Sequence, residues 1–290
     1  MQRILTNNIL HFLNKWRTFE ELSSIIETKN GFVFALKFRN THNMPLKNKC
    51  IIFYLFVSLA NTFDSQAQNY LDLTPTNIYK DSIKEHNNDL LFDSLHLGKL
   101  GLGRRPYDYA MLGYHVLKAK GMLNNDRIIS IADMSSPSGR KRFFVLDIKN
   151  YKLLFVTYVA HGKNSGLDKS LYFSNEPESN KSSVGFYITS STYSGGHGYS
   201  MRLEGQEIGF NNKAKERDIV VHSADYVNES VVKSQGYIGR SLGCPALSPE
   251  MYKPIIDKIK NGSCLFIYGN DSKYITNSRL LKRKVKLQQH

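Results

Sequence analysis

The residues best suited to covalent chemistry in this 290-residue chain lie in one short stretch, Gly239-Arg240-Ser241-Leu242-Gly243-Cys244-Pro245-Ala246. A cysteine there closes a Gly-rich turn. A thiol in such a turn can be approached by a substrate backbone, and successive N–H groups around it can point at a developing oxyanion. Upstream, His222 in IVVHSADYV can supply a base. The pair is the minimal cysteine-nucleophile arrangement. A free thiol titrates near ~8.5 and is mostly protonated at neutral pH, and a neighbouring imidazole raises the thiolate fraction by ion pairing. Gly243 lets the backbone turn close to a scissile carbonyl with no Cβ in the way. Losing one oxyanion donor costs about 2.7–4 kcal/mol of barrier, so the turn matters as much as the thiol. The structural alternative for Cys244 is a buried thiol or half of a disulfide.

Positioning these groups requires a folded body, and the pattern supplies one from about residue 127. Arg127–Asp133, Arg142–Ile148 and Tyr151–Val159 are short runs rich in β-branched and aromatic residues, bounded by turn residues. Further strands are expected at Val184–Ile188, Tyr199–Leu203, Asp218–Val221 and Ser263–Tyr268. Ser248, Pro249 and Glu250 read as a helix N-terminus, with Tyr252, Ile255, Ile256 and Ile259 as its buried face and Gly262 at its end. Before this body, residues 68–75 read as a linker and 76–97 as one or two helices. Pro106 to Lys120 carries Tyr107, Ala110, Met111, Tyr114 and Leu117 on one helical stripe, closed by Gly121. Residues 68–126 thus read as a linker and helical cap.

The first 67 residues read as targeting. Met44–Lys49 is a short basic region, Cys50–Ala60 an apolar run, and Ser65-Gln66-Ala67 places small residues where a signal peptidase requires them. Residues 44–67 are therefore expected to be a signal peptide cleaved after Ala67, with 1–43 an upstream extension. The apolar run is too short for a comfortable bilayer span. Cys50 precedes it, which argues against lipidation. Export leaves Cys244 and Cys264, and Cys264 sits in an apolar run expected to be a buried strand.

The net charge of +14 belongs to the chain ends. Residues 1–49 carry eight Lys and Arg against three acids, and 273–290 carry six against none. No basic, aromatic-interleaved stripe lies on the body, so nucleic acid is not an expected partner. Residues 271–290 read as a basic tail, solvated or in weak contact with an anionic surface.

Several segments together resemble one family. They are FSN (Phe173–Asn175), SSVGFY (Ser182–Tyr187), Thr192–Val227 and GRSLGCPA (Gly239–Ala246), in that order, with VAHG upstream. They resemble the murein L,D-transpeptidase catalytic domain, of the YkuD-like superfamily in its secreted variant branch, over roughly residues 127–270. The resemblance implies a mainly β fold with flanking helices, a YkuD-like β-sandwich behind an N-terminal helical cap. It implies that Cys244 attacks the carbonyl after the L-centre of diaminopimelate in a peptidoglycan stem tetrapeptide, releasing D-alanine. His222 would be the base, Ser223 would orient its ring through the backbone carbonyl, and the N–H groups of Leu242, Gly243 and Cys244 would form the oxyanion hole. No metal or cofactor is implied, and a monomer is expected. Four departures stand out. Leu242 replaces the usual His before Gly-Cys, Pro245 follows the cysteine and removes one N–H, Ser223 stands where this branch more often has Gly, and the His-to-Cys gap is longer than in the main superfamily.

Other polar residues remain open between two roles. His197 in GGHGYS either lines the substrate groove or faces solvent, and His161 either serves the site or caps a strand end. Arg240 can grip a substrate carboxylate with its bidentate fork or brace the loop. Tyr193 and Asn212 are further substrate-binding candidates. Export points to the periplasm or cell envelope. Water in place of an amine acceptor would make the enzyme an L,D-carboxypeptidase, and a degenerate site would make it a wall-binding protein.

Overall fold

Strands buried on both faces read as unbroken apolar runs rather than alternating ones. Three such runs form the middle of this structure. The computed structural model describes residues 87–282 in full and the backbone of 22–27 and 33–38. The chain divides into two units, 1–79 and 80–290. In the first, β1 (Leu22–Glu27) and β2 (Val33–Phe38) pair as an antiparallel hairpin, Leu22 opposite Phe38 and Glu27 opposite Val33. The expected signal peptide at 44–67 and linker at 68–75 lie outside the described residues.

In the second unit, helix α1 (residues 87–94) and α2 (Arg104–Ala119) precede β3 (Ile128–Asp133), β4 (Phe143–Asp147) and β5 (Lys152–Thr157). Then come β6 (Gly185–Gly195), β7 (Gly198–Gly205), β8 (Val220–Ser223), α3 (Glu229–Gln235), β9 (Ala246–Leu247), α4 (Tyr252–Ile259), β10 (Cys264–Tyr268) and α5 (Ser272–Asn277). One eight-stranded sheet runs β5-β4-β3-β10-β6-β7-β8-β9. β10 is parallel to β3 and β9 to β8, and the other neighbours are antiparallel. A register shift between Thr189 and Thr192 adds local twist to β6. Just past β5, Ala160 forms an antiparallel bridge with Ala246 of β9. The two ends of the sheet therefore meet, and the expected mainly β fold is a sheet curled on itself, barrel-like, with helices at its flanks.

Side chains alternate across the sheet and build two cores. On one face, Ile129, Ile131, Phe144, Leu146, Phe186 and Phe266 meet the α2 stripe of Tyr107, Ala110, Met111, Tyr114 and Leu117. On the other, Val145, Tyr187, Leu265 and Ile267 meet Ile255, Ile256 and Ile259 of α4. Each such side chain contributes about 1.5–3 kcal/mol when taken out of water. The α1 segment joins the first core through Leu91, and the Tyr107 hydroxyl donates to the Asn88 carbonyl at 2.8 Å.

Helix ends follow the expected residues closely. Gly121, at φ +67°, ends α2, and the Met122 N–H returns to the Leu117 carbonyl at 3.1 Å. The α2 start lies two residues before Pro106, at Arg104. α4 starts at Tyr252 rather than at Ser248, because the Met251 and Tyr252 N–H groups both turn back to the Ser248 carbonyl. Residues 271–282 differ more. Instead of opening a tail, they form α5, capped by the Asp271 side chain, and bury Tyr274, Leu280 and Leu281. The Tyr274 hydroxyl donates to the buried Glu207 carboxylate at 2.8 Å, and Ser278 donates to its other oxygen.

Gly113 sets the spacing of α2 on the sheet. A Cβ there would lie 2.0 Å from Cζ of Phe186, whose ring stacks on Phe266 at 4.3 Å. Alanine is favoured over glycine by about 1 kcal/mol in a helix interior, but overpacking costs about 1–3 kcal/mol. Gly113→Ala is therefore expected to lower the urea midpoint of the full chain. A midpoint equal to or above the parent's would show that the ring moves aside without cost.

Candidate active site

The Gly239–Leu247 stretch is held by main-chain pairing on both sides. The Gly239 N–H donates to the Tyr226 carbonyl at 2.9 Å, and the Ser241 N–H to the His161 carbonyl at 2.9 Å. In return, the Lys163 N–H donates to Ser241 at 2.8 Å and the Ala160 N–H to Ala246 at 2.9 Å. Ala246 and Leu247 then pair with His222 and Ser223 as parallel β9 and β8. The presumptive base thus sits on the strand that the nucleophile loop joins two residues after its cysteine.

Within the loop, Ser241 shapes the turn. Its hydroxyl donates to the Cys244 carbonyl at 2.7 Å and accepts the Gly243 N–H at 3.1 Å. Gly243 has φ +132°, and a Cβ there would stand 2.9 Å from the Lys181 carbonyl oxygen, so glycine is required on both counts. The Ser182 hydroxyl accepts the Gly162 N–H at 3.0 Å and donates to the Gly243 carbonyl at 3.2 Å. The Gly243 N–H, one of three expected oxyanion donors, is thereby engaged inside the turn. Leu242 and Cys244 have no acceptor for their N–H groups among the described residues. The Leu242 side chain, where a histidine was the more usual residue, stands 65% exposed.

The Cys244 thiol is half-buried and free. It contacts the Asp218 carbonyl as donor and the Val220 N–H as acceptor, both at 3.5 Å. Burial pushes its pKa up, while the Val220 N–H and the Arg217 charge pull it down. Cys264 is free too and fully buried in the first core, which raises its pKa, so the two thiols form no disulfide. His222 is buried, and its Nδ1 lies 2.8 Å from the Ser223 carbonyl. A carbonyl accepts only, so Nδ1 carries the proton and Nε2 keeps a lone pair for a base's work. Burial lowers the His222 pKa, the Ser223 carbonyl opposes this, and the neighbouring His197 lowers it further. His197, at the tip of the β6–β7 hairpin, stacks on His222 at 4.5 Å between ring centres. The thiol's partners belong to the segment leading into and including β8, the strand that carries His222. Catalytic hydrogen bonds are commonly loose before substrate arrives.

Other candidates separate from this group. Tyr193 is half-buried under Arg202, whose guanidinium lies 4.4 Å from its ring centre. Arg240 directs Nη1 at the Lys163 and Gly166 carbonyls at 3.1 and 3.3 Å, the loop-bracing role of its two alternatives. Asn212 is tied into its own loop. Its amide oxygen accepts from Asn175 at 2.9 Å and from the Gly209 N–H at 2.8 Å, fixing the 206–218 loop. His161 is fully buried. Its Nδ1 accepts from Arg142 at 2.7 Å and its Nε2 faces the Gly166 carbonyl at 3.1 Å.

Residues with no early signal complete the surroundings. Arg142 is wholly buried and points at the Ser136, Met134 and Val159 carbonyls beneath the 160–162 segment. Arg217 lies in a charged run that reads as a solvated face, and Ser241 is an unmarked serine whose only cue is a glycine two residues on. Among the described residues, no group of three or more His, Cys, Asp or Glu could hold a metal ion, and no helix is long and apolar enough to cross a membrane.

The sequence model of one family, described as an L,D-transpeptidase catalytic domain, matches residues 99–268. No curated protein matches the chain. Solved structures similar to it include an L,D-transpeptidase from Mycobacterium smegmatis, at 17% identity and a TM-score of 0.31, covering 49% of this chain and 59% of that one. Two from Mycobacterium tuberculosis are L,D-transpeptidase 1, at 17% identity, TM-score 0.29 and coverage of 49% and 62%, and L,D-transpeptidase 3, at 16%, 0.32, 49% and 61%. This chain thus spans about three fifths of each of those chains.

Burial lowers the His161 pKa to about 4 from an ordinary 6.5. The unfolded chain therefore takes up this proton first as the pH falls. The contribution is complete above pH 6.5 and declines toward pH 4, by about 3 kcal/mol at one proton over that window. Urea unfolding at stepped pH should show the decline, and His161→Gln, which cannot titrate, should flatten it. An equal slope in both proteins would place the proton uptake elsewhere.

Proposed function

The chain belongs to the L,D-transpeptidase catalytic domain family, and on that premise we propose that it is an exported cysteine acyltransferase of peptidoglycan stem peptides. The observation that carries this reading is the tautomer at His222. A ring with Nδ1–H fixed on the Ser223 carbonyl and a basic Nε2 stands on the strand joined by the loop of a free, half-buried thiol. That is the division of roles a cysteine acyl transfer needs.

In the proposed reaction, Nε2 of His222 takes the Sγ proton of Cys244. The thiolate attacks the carbonyl carbon after the L-centre of diaminopimelate in a stem tetrapeptide. The resulting oxyanion is held by the N–H groups of Leu242 and Cys244, with Gly243 joining if its bond to Ser241 is released. Collapse breaks the C–N bond, the imidazolium gives its proton to the departing D-alanine amine, and a thioester remains. An amine from a neighbouring stem, deprotonated by His222, then attacks the thioester, and the sulfur leaves as thiolate to recover its proton. Water in that second step would yield a tripeptide acid. His197 on the hairpin tip and Tyr193 behind it border the donor's path in this reading, and Arg240 keeps the loop in place. In this reading the chain works in the periplasm or cell envelope after cleavage following Ala67.

The decisive assay is incubation with purified tetrapeptide muropeptides followed by mass spectrometry. Cross-linked dimers are expected from the parent and none from Cys244→Ala. Tripeptides alone would make water the acceptor. Identical products from both proteins would end the proposal. Removing a general base typically costs 10²–10⁴-fold, so His222→Ala should slow carbapenem acylation by about that factor near neutral pH with the circular dichroism unchanged. An undiminished rate would shift the base to His197. For export, N-terminal sequencing of the envelope-borne protein should start at Gln68, and retention of the Cys50–Ala60 run would refute cleavage.

A further inference from the structure

A cation sits next to the nucleophile turn without a carboxylate to hold it. Arg217 is half-buried, and among the described residues it forms no ion pair. Its guanidinium is instead surrounded by one loop. Nη1 donates to the Ser174 carbonyl at 2.7 Å and to the Ser183 hydroxyl at 3.3 Å. Nη2 donates to the Lys181 carbonyl at 2.7 Å and to the Ser179 hydroxyl at 3.3 Å. Neutral acceptors orient the guanidinium, and the Glu176 carboxylate that also acts on its charge is itself paired with Lys213, so part of the Arg217 field reaches what lies beside it. What lies beside it is the Cys244 turn. The space a Cβ of Gly243 would occupy is 3.3 Å from Nη2 and 2.9 Å from the Lys181 carbonyl oxygen. The next residue along, Asp218, offers its carbonyl to the thiol.

We propose that Arg217 is a positioning residue for the nucleophile, clamping the 174–183 segment against the Cys244 turn and setting its positive charge beside the thiolate that attack requires. The inference rests on Cys244 being the nucleophile. Its physical logic is that a thiol held in a buried turn resists ionisation, and a cation fixed beside it offsets part of that penalty. The Arg217 charge acts on the thiol in the lowering sense, against burial and the Asp218 carboxylate. Two phenols also sense the thiol. Tyr187 on β6 and Tyr226 after β8 have pKa values pushed up by burial and stay neutral through the useful range. The other titratable groups around them are Asp218, which acts on the thiol, Glu176, which acts on Arg217, and His222 on β8 with His197 stacked on it. Here the 174–183 segment and the turn would share one charge, so loop order and thiol reactivity are linked.

Alkylation with iodoacetamide, followed on the Cys244 peptide by mass spectrometry, reads the thiol without any peptidoglycan substrate. A failed muropeptide assay therefore leaves it intact, and the reverse holds as well. In the full chain, Arg217→Gln should slow alkylation at pH 7 by about tenfold and raise the midpoint of its pH profile by about one unit. Arg217→Lys, which keeps the charge but not the four-way grip, should recover most of the midpoint. A folded Arg217→Gln protein with the parent's midpoint would overturn the proposal. So would Arg217→Lys with a midpoint as high as that of the glutamine variant, which would leave a bracing role only. If Arg217→Gln does not fold, the lysine variant decides by the same criterion, with a parental midpoint in support and a raised one against.

Discussion

The site depends on one main-chain junction. The bridges of Ala160 to Ala246 and Gly162 to Ser241, with the short β8–β9 pair, join segments from three distant parts of the chain. Remove that junction and the sheet has two open edges, the nucleophile loop has no fixed end, and His222 has no defined relation to it. Backbone hydrogen bonds suit this task because they fix register independently of side-chain choice. The side chains around the loop can then be selected for chemistry. Ser241 and Ser182 complete the turn from within, each bonded at two points.

Buried charge is handled in the same way throughout the site. Arg142 rests on carbonyl oxygens and the His161 imidazole, and Arg217 on carbonyl and hydroxyl oxygens, rather than on carboxylates. Burial lowers both pKa values, that of Arg142 to about 10. Each still carries its charge at neutral pH, and each orders a loop that has no regular secondary structure. His161 is kept neutral between Arg142 and the Gly166 carbonyl, so it adds no second charge to the support beneath the nucleophile loop. By contrast, the carboxylate of Glu207 holds three distant segments together through Phe186, Tyr274 and Ser278.

The legible part of the fold was the part governed by apolar patterning. The runs at 128–133, 143–147 and 264–268 are buried on both faces and read as strands, and the α2 stripe read as a helix. Closure of the sheet was not legible, since nothing local marks Ala160 and Ala246 as partners. α3 buries none of its residues, so no stripe announces it. α5 was hidden by its basic neighbours, although Asp271 and Tyr274 are its cap and its anchor. At the site, cysteine, histidine and glycine were readable because chemistry and conformation restrict those residue types. The assignments of Asn212 and Arg240 were less secure, because amide and guanidinium groups serve loops and ligands equally well. Arg217 was invisible for the opposite reason: a lone arginine among lysines and glutamates looks like surface.

The thiol's two contacts, to the Asp218 carbonyl and the Val220 N–H, come from the chain that runs directly into His222. Nucleophile and base are thereby tethered to a common rail of only a few residues. A substitution anywhere in the 218–222 stretch would therefore act on both members of the candidate pair at once.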